Sequence, residues 1–140
     1  MLENHFEWYL TDRFGKLYYF DKNKIILGRK DCDIQLKSNS VDYKHCILLI
    51  NEKDKSLKIK DLETSNGTFI NEKQIKANHF KILNVGDIIR LAYDQITFTV
   101  QKKSDFVPIL AFNLYVMGVI PHSLECLLVI YTLNVSITVD

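Results

Sequence analysis

Between residues 6 and 103 the chain nowhere keeps its apolar side chains at helical spacing. It offers short runs of β-branched, aromatic and aliphatic residues, broken every few positions by turn formers. Runs 6–11 and 16–20 flank Asp12-Arg13-Phe14-Gly15, a turn signal, and predict a hairpin. Further runs follow at 25–27, 34–36, 45–50, 56–60, 68–70, 87–91 and 95–100, and Asn84-Val85-Gly86-Asp87 supplies another tight turn. Leu57, Ile59 and then Leu62 read as an inward face alternating with Lys58 and Lys60, the two-residue period of a half-buried strand. Proline does not occur before Pro108. Short strands with frequent turns and no internal repeat predict an all-β sandwich.

Within that frame one stretch carries chemistry: Thr64-Ser65-Asn66-Gly67-Thr68-Phe69-Ile70-Asn71. An Asn-Gly pair between strand-forming runs asks for a turn with positive φ, which glycine adopts freely and asparagine tolerates. Such a turn holds Ser65 and Asn66 at the tip of a sheet. A hydroxyl, a carboxamide and backbone N–H groups on a loop suit gripping a peptide or an anion, and suit bond making poorly. Gly28-Arg29 follows the apolar run 25–27 upstream. The two elements together point to a recognition module.

Composition agrees with one domain and a real core, at 140 residues and 47% hydrophobic. A net charge of +1 gives no support to nucleic-acid binding through bulk charge. Cys32, Cys46 and Cys126 form no Cys-x-x-Cys and no zinc spacing, so neither metal nor cofactor is expected. Three thiols without a pairing pattern fit a reducing compartment, and residues 1–7 lack the basic and apolar parts of a secretory leader. The expected address is cytoplasmic or nuclear.

The character changes after Asp105. All 18 Lys and Arg lie at or before Lys103, and of 17 acidic residues only Glu125 and Asp140 lie beyond Asp105. Residues 1–105 are therefore read as the domain and 106–140 as an apolar C-terminal extension. The apolar runs 107–120 and 124–139 each fall short of the ~20 residues a membrane helix needs. A tail packed on the sandwich, or a poorly ordered one, is expected over a membrane anchor.

Gly28-Arg29, Val41-Asp42-Tyr43-Lys44-His45, the stretch 64–71 and the closing Val85-Gly86-Asp87-Ile88-Ile89-Arg90-Leu91 together resemble the signature of the forkhead-associated (FHA) domain. The resemblance covers about residues 6 to 103. The Gly-Arg-x-Asp-Cys-Asp and Ser-Val-Asp-x-x-His patterns are similar in particular to the N-terminal FHA domains of large centrosomal, microtubule-associated proteins. It implies a sandwich of about eleven strands whose loops, at one end, bind phosphothreonine peptides of protein partners. On that resemblance Arg29 would offer a planar fork of donors to phosphate, which lysine cannot reproduce. Ser65 would donate its hydroxyl, Asn66 would bracket the peptide backbone, and Lys44 with Lys30 would add diffuse attraction. Gly28, Asp42, His45, Gly67 and Asn71 would support the loops. Taken singly, Arg29 reads as a surface ion-pair partner, His45 as a structural residue and Cys32 and Cys46 as small buried side chains.

Asp42 departs from the family pattern, in which a serine three positions before the histidine donates to the phosphate. A carboxylate ~4 Å from a phosphate costs about 4 kcal/mol per unit charge at an effective dielectric of 20. That is roughly a thousandfold in affinity. The expectation is that Asp42 pairs with Arg29 in the unbound state and weakens phosphate binding. Two functions follow: a phosphothreonine reader, or a phosphate-independent interaction scaffold on the same fold. An enzyme is not expected, because no nucleophile–base set, phosphate-cradling loop or metal cluster stands in the sequence.

Overall fold

The computed structural model describes residues 7–103, and the expectations for residues 1–6, Cys126 and the extension 106–140 lie outside them. Eleven strands and no helix make up the described part. They are β1 (Trp8–Asp12), β2 (Leu17–Tyr19), β3 (Lys24–Gly28), β4 (Ile34–Gln35), β5 (Cys46–Ile50) and β6 (Leu57–Asp61). After the crossover come β7 (Thr68–Ile70), β8 (Lys73–Gln74), β9 (Lys81–Leu83), β10 (Ile88–Leu91) and β11 (Thr97–Lys102). One sheet runs β2-β1-β11-β10-β7-β8 and the other β4-β3-β5-β6-β9. All pairings are antiparallel except β3 with β4.

Alternation decides which side chains meet between the sheets. Leu10, Phe98, Val100, Ile89, Leu91 and Ile70 face inward from the first sheet, opposite Ile25, Leu27, Leu48, Leu57, Ile59 and Leu83 from the second. Fully burying each such aliphatic or aromatic side chain stabilises by about 1.5–3 kcal/mol. Cys46 shares this face, and burial pushes its thiol pKa well up, so it acts as a small apolar side chain. The β1–β2 hairpin closes as expected, with Gly15 at φ 82° and its N–H donating to the Asp12 carbonyl at 3.1 Å. The 84–87 turn closes likewise, with the Asp87 N–H on the Asn84 carbonyl at 3.1 Å.

Two sequence expectations change. The inward face of β6 continues to Asp61, which is 2% exposed, and not to Leu62, which is only partly buried. The two-residue period holds; it places a carboxylate inside. Asn66-Gly67 does not turn at the tip of a single sheet either. It lies in the crossover from β6 in one sheet to β7 in the other, and only Gly67 has positive φ, at 81°. The two-residue hairpin comes later, at Asn71 and Glu72, with φ of 51° and 67° and Ile70 paired to Lys73. Both central residues in the left-handed region mark a turn whose twist suits a two-residue β connection.

Candidate functional site

Three loops converge at the end of the sandwich where β3 finishes, β5 begins and β7 begins. Gly28 ends β3 against the 41–44 loop so closely that a Cβ there would collide with the Tyr43 carbonyl oxygen and lie 2.9 Å from the Cys32 Sγ. Only glycine allows that approach. Two backbone bonds stitch the loops: Arg29 N–H to the Asp42 carbonyl at 2.9 Å and Lys30 N–H to the Tyr43 carbonyl at 3.2 Å. The Cys32 thiol adds a bond to the Tyr43 carbonyl at 2.8 Å, and partial burial raises its pKa. Cys32 is half-buried, so the reading of it as a buried core thiol is corrected; its sulfur braces a loop.

The Arg29 side chain is held on two sides. Its Nε–H donates to the Val41 carbonyl at 2.9 Å, and its guanidinium lies 4.5 Å from the centre of the Tyr43 ring. Among the described residues no hydrogen bond or ion pair takes either Nη group. Lys30 sits over the same ring at 5.6 Å, and Lys44 beside it is exposed and without an ion pair among the described residues. The expected Arg29–Asp42 ion pair is therefore not formed. The Arg29 Nε–H is taken by Val41, while Asp42 turns to Ser65, whose N–H reaches Oδ2 at 3.4 Å.

Residues 40–42 are the hub joining Arg29 to the other loop. The Asn66 amide Nδ2 donates to the Ser40 carbonyl at 2.8 Å, and the Tyr93 N–H donates to the Ser40 Oγ at 3.2 Å. Ser65 stands exposed, its hydroxyl without a hydrogen bond among the described residues. Behind them His45, fully buried, spans the gap. Its Nδ1 accepts from the Asp42 N–H at 3.1 Å, so Nε2 carries the proton and donates to the Gly67 carbonyl at 2.8 Å. The Gly67 carbonyl also accepts the Ala92 N–H at 2.9 Å. His45 is structural, as its position at a strand start suggests.

Beneath the crossover lies a network that the sequence reading missed. Asp61 Oδ1 accepts the hydroxyls of Thr64 at 2.7 Å and Thr68 at 2.6 Å, and Oδ2 accepts the Thr64 N–H at 3.1 Å. The Thr64 hydroxyl in turn accepts the Gly67 N–H at 3.0 Å. A buried carboxylate is tolerable only when hydrogen bonded in this way. Its signal was available: Asp61 occupies the inward phase set by Leu57 and Ile59. Tyr43, Ala92 and Tyr93 were also missed, and nothing local in the sequence links them to Arg29 or Ser40.

Asn71 does not join this rim. It stands at the far end of β7, where Nδ2 donates to Asp87 Oδ1 at 2.9 Å and Oδ1 accepts the Ile88 N–H at 3.0 Å. It supports a loop, but the one that closes the opposite end. Gly28, Arg29, Asp42, Lys44, His45, Ser65, Asn66 and Gly67 are the predicted residues that the fold brings to the one end.

The FHA domain family matches residues 25–92. The chain is 31% identical over 84 residues to the E3 ubiquitin-protein ligase CHFR of Xenopus tropicalis, a match covering 59% of this chain and 13% of that protein. Among solved structures it is similar to EmbR of Mycobacterium tuberculosis in complex with a low-affinity phosphopeptide, with 30% identity, a TM-score of 0.60 and coverage of 69% of this chain and 24% of that one. The N-terminal FHA domain of Rad53p from S. cerevisiae, solved with a phosphothreonine peptide, gives a TM-score of 0.63 at 19% identity, covering 71% of this chain and 96% of that one. FHA domains are interaction modules, and the two-sheet architecture, the converging loops and the family match agree: this chain contains a forkhead-associated domain with the FHA β-sandwich fold.

Proposed function

We propose that the rim formed by residues 28–30, 40–45 and 65–67 reads phosphothreonine in a protein partner. The observation that carries this reading is the presentation of Arg29. Its guanidinium is pinned through Nε and stacked on Tyr43, and both Nη groups stay unpaired among the described residues. A planar donor pair fixed before the ligand arrives suits bidentate contact with a phosphate and loses little entropy on binding. Ser65, with its free hydroxyl, is the second donor, Asn66 the residue that meets the peptide backbone, and Lys44 with Lys30 the source of attraction. Relatives solved with phosphopeptides support the ligand class. The role is recognition, not catalysis.

Asp42 sets the strength. Its carboxylate already faces the Ser65 N–H and would repel an incoming phosphate. The second reading, a scaffold that binds unphosphorylated partners on the same fold, rests on this residue. The cytoplasm or nucleus is the proposed setting, and the likeness to N-terminal FHA domains of centrosomal, microtubule-associated proteins gives the narrower one. The test is a titration of a phosphothreonine peptide pool with degenerate flanks, and its unphosphorylated twin, into wild type, Arg29→Ala and Asp42→Ser. The reader predicts phosphate-dependent binding, a loss of at least about tenfold in Arg29→Ala and a gain of at least about tenfold in Asp42→Ser, since like charges side by side cost more than ~1.4 kcal/mol. Equal affinity for both peptides favours the scaffold.

A further inference from the structure

The side of the sandwich away from this rim carries a second, unassigned feature. The edge strand of the six-stranded sheet, β8, and that of the five-stranded sheet, β9, come next to each other across a groove of about 600 Å³. That volume is in the range that holds a few side chains of a ligand. Ile75, Phe80 and Ile82 supply apolar surface, and Phe80 and Ile82 are 47% and 58% exposed. Lys73, Lys76 and Lys81 line the same groove, and none of them makes an ion pair among the described residues. The basic surface continues past its wall: Lys58 neighbours Ile82 across the β6–β9 pairing, and Lys60 sits 4.7 Å over the Phe80 ring.

Among the described residues lining the groove, three lysines face a single carboxylate. Asp87, the one acidic residue lining the groove, already accepts the Asn71 amide at 2.9 Å and the Asn84 N–H at 2.8 Å. The nearby Glu72 is engaged by Arg90 at 3.2 Å. Lysines on edge strands also guard a sheet against pairing with other sheets. That duty explains Lys73 and Lys81. It does not explain Lys76, which lies in no strand, nor an edge that leaves a phenylalanine and an isoleucine open to water.

We infer that the β8–β9 groove is a second docking site, for an unphosphorylated protein segment in which carboxylates alternate with large apolar side chains. Charge complementarity selects this occupant: unpaired ammonium groups ask for carboxylates, and Ile75, Phe80 and Ile82 ask for aliphatic or aromatic anchors. A nucleic acid would gain phosphate contacts and one ring, Phe80, for a base, but Ile75 and Ile82 add no further stacking platform. The site is independent of Arg29 and Asp42, so the phosphate reader and this groove stand or fall separately.

The test uses the full chain, labelled with nitrogen-15, and an end-capped peptide, Glu-Asp-Leu-Glu-Asp-Phe-Glu-Asp-Leu. Controls are the same peptide with every acidic residue replaced by lysine, and single-stranded oligothymidylate. The expected result is saturable shifts of the amides of Lys76, Phe80 and Ile82 with the acidic peptide alone. Affinity should fall by about tenfold or more in Lys76→Glu/Lys81→Glu, where two attractions become repulsions. Ile82→Ser, which removes an exposed apolar contact and leaves the charge, should also weaken it. Arg29→Ala should not, and an excess of the phosphothreonine pool should not compete. The inference is overturned by an absence of shifts at these residues, by shifts confined to Arg29 and Ser65, by unchanged affinity in both groove variants, or by tighter binding of oligothymidylate.

Discussion

β7 is only three residues long, yet its two ends are built on different principles. At its start, Gly67 and the preceding Ser65-Asn66 are bonded to Ser40, Asp42, His45 and Ala92, partners drawn from two other parts of the chain. At its finish, Asn71 and Glu72 form a tight turn whose external bonds go to Asp87, Ile88 and Arg90. The first end immobilises donors and leaves the Arg29 Nη groups and the Ser65 hydroxyl without partners among the described residues. The second fixes one neighbouring turn and leaves lysines exposed beside apolar surface. Directional recognition of a compact anion needs the first kind of end. Attraction of an extended, charged segment needs only the second.

Substitutions can separate the ends. The largest effect is expected for His45→Ala, which leaves the Asp42 N–H and the Gly67 carbonyl without their buried partner and opens a cavity. A stability loss of about 3 kcal/mol follows from one unmet donor, a Gly67 carbonyl left with the Ala92 N–H alone, and lost packing. Urea unfolding should record it, and phosphopeptide affinity should fall with it. Next comes Gly28→Ala, whose methyl must push the 41–44 loop away from β3. Overpacking of this kind costs about 1–3 kcal/mol. Calorimetric titration should lose at least about tenfold in phosphopeptide affinity, because Arg29 and Tyr43 move apart.

Asn71→Ala is the matching change at the other end. It removes two hydrogen bonds and puts alanine where φ is positive, for about 1–2 kcal/mol. Thermal unfolding should register this loss while phosphopeptide affinity stays at the wild-type value; a fall in affinity would mean the ends are coupled. The smallest effect belongs to neither end. Asp33 is desolvated, which raises its pKa, but the Lys22 ammonium at 2.6 Å and the Ile26 N–H at 2.8 Å outweigh this and hold it below the usual carboxylate range. Its hydrogen bond with Asp33 raises the Lys22 pKa in turn. A lowered acid contributes stability above its unfolded pKa and loses it as pH falls through the folded one. A raised base contributes below its unfolded pKa and loses it as pH climbs through the folded one. The pair should therefore help from about pH 4 to about pH 10. Urea midpoints of Asp33→Asn should converge on wild type below that window, with peptide binding unchanged at neutral pH.

What could be read in advance follows the reach of each interaction. Strands with three inward positions, such as β5 and β6, announce themselves because alternation is a local property. β8 and β9 do not, since Lys73, Gln74, Lys81 and Ile82 are all exposed and give no pattern. Gly67 was legible as a positive-φ position, but not as a crossover between the sheets, because Asn-Gly specifies a bend and not which sheets it joins. Arg29, Ser65 and Asn66 could be named from motifs. That Tyr43 holds the guanidinium and Asp42 faces Ser65 depends on contacts between distant segments, which no local pattern encodes.

The central claim is that phosphothreonine is read at the start of β7. Nitrogen-15 amide spectra of the chain, titrated with the phosphothreonine pool, test it directly. The account predicts saturable shifts at Arg29, Asp42, Ser65 and Asn66, with Asn71, Glu72 and Asp87 unmoved. Shifts confined to Asn71, Glu72 and Asp87, or equal shifts from the unphosphorylated twin, would contradict it.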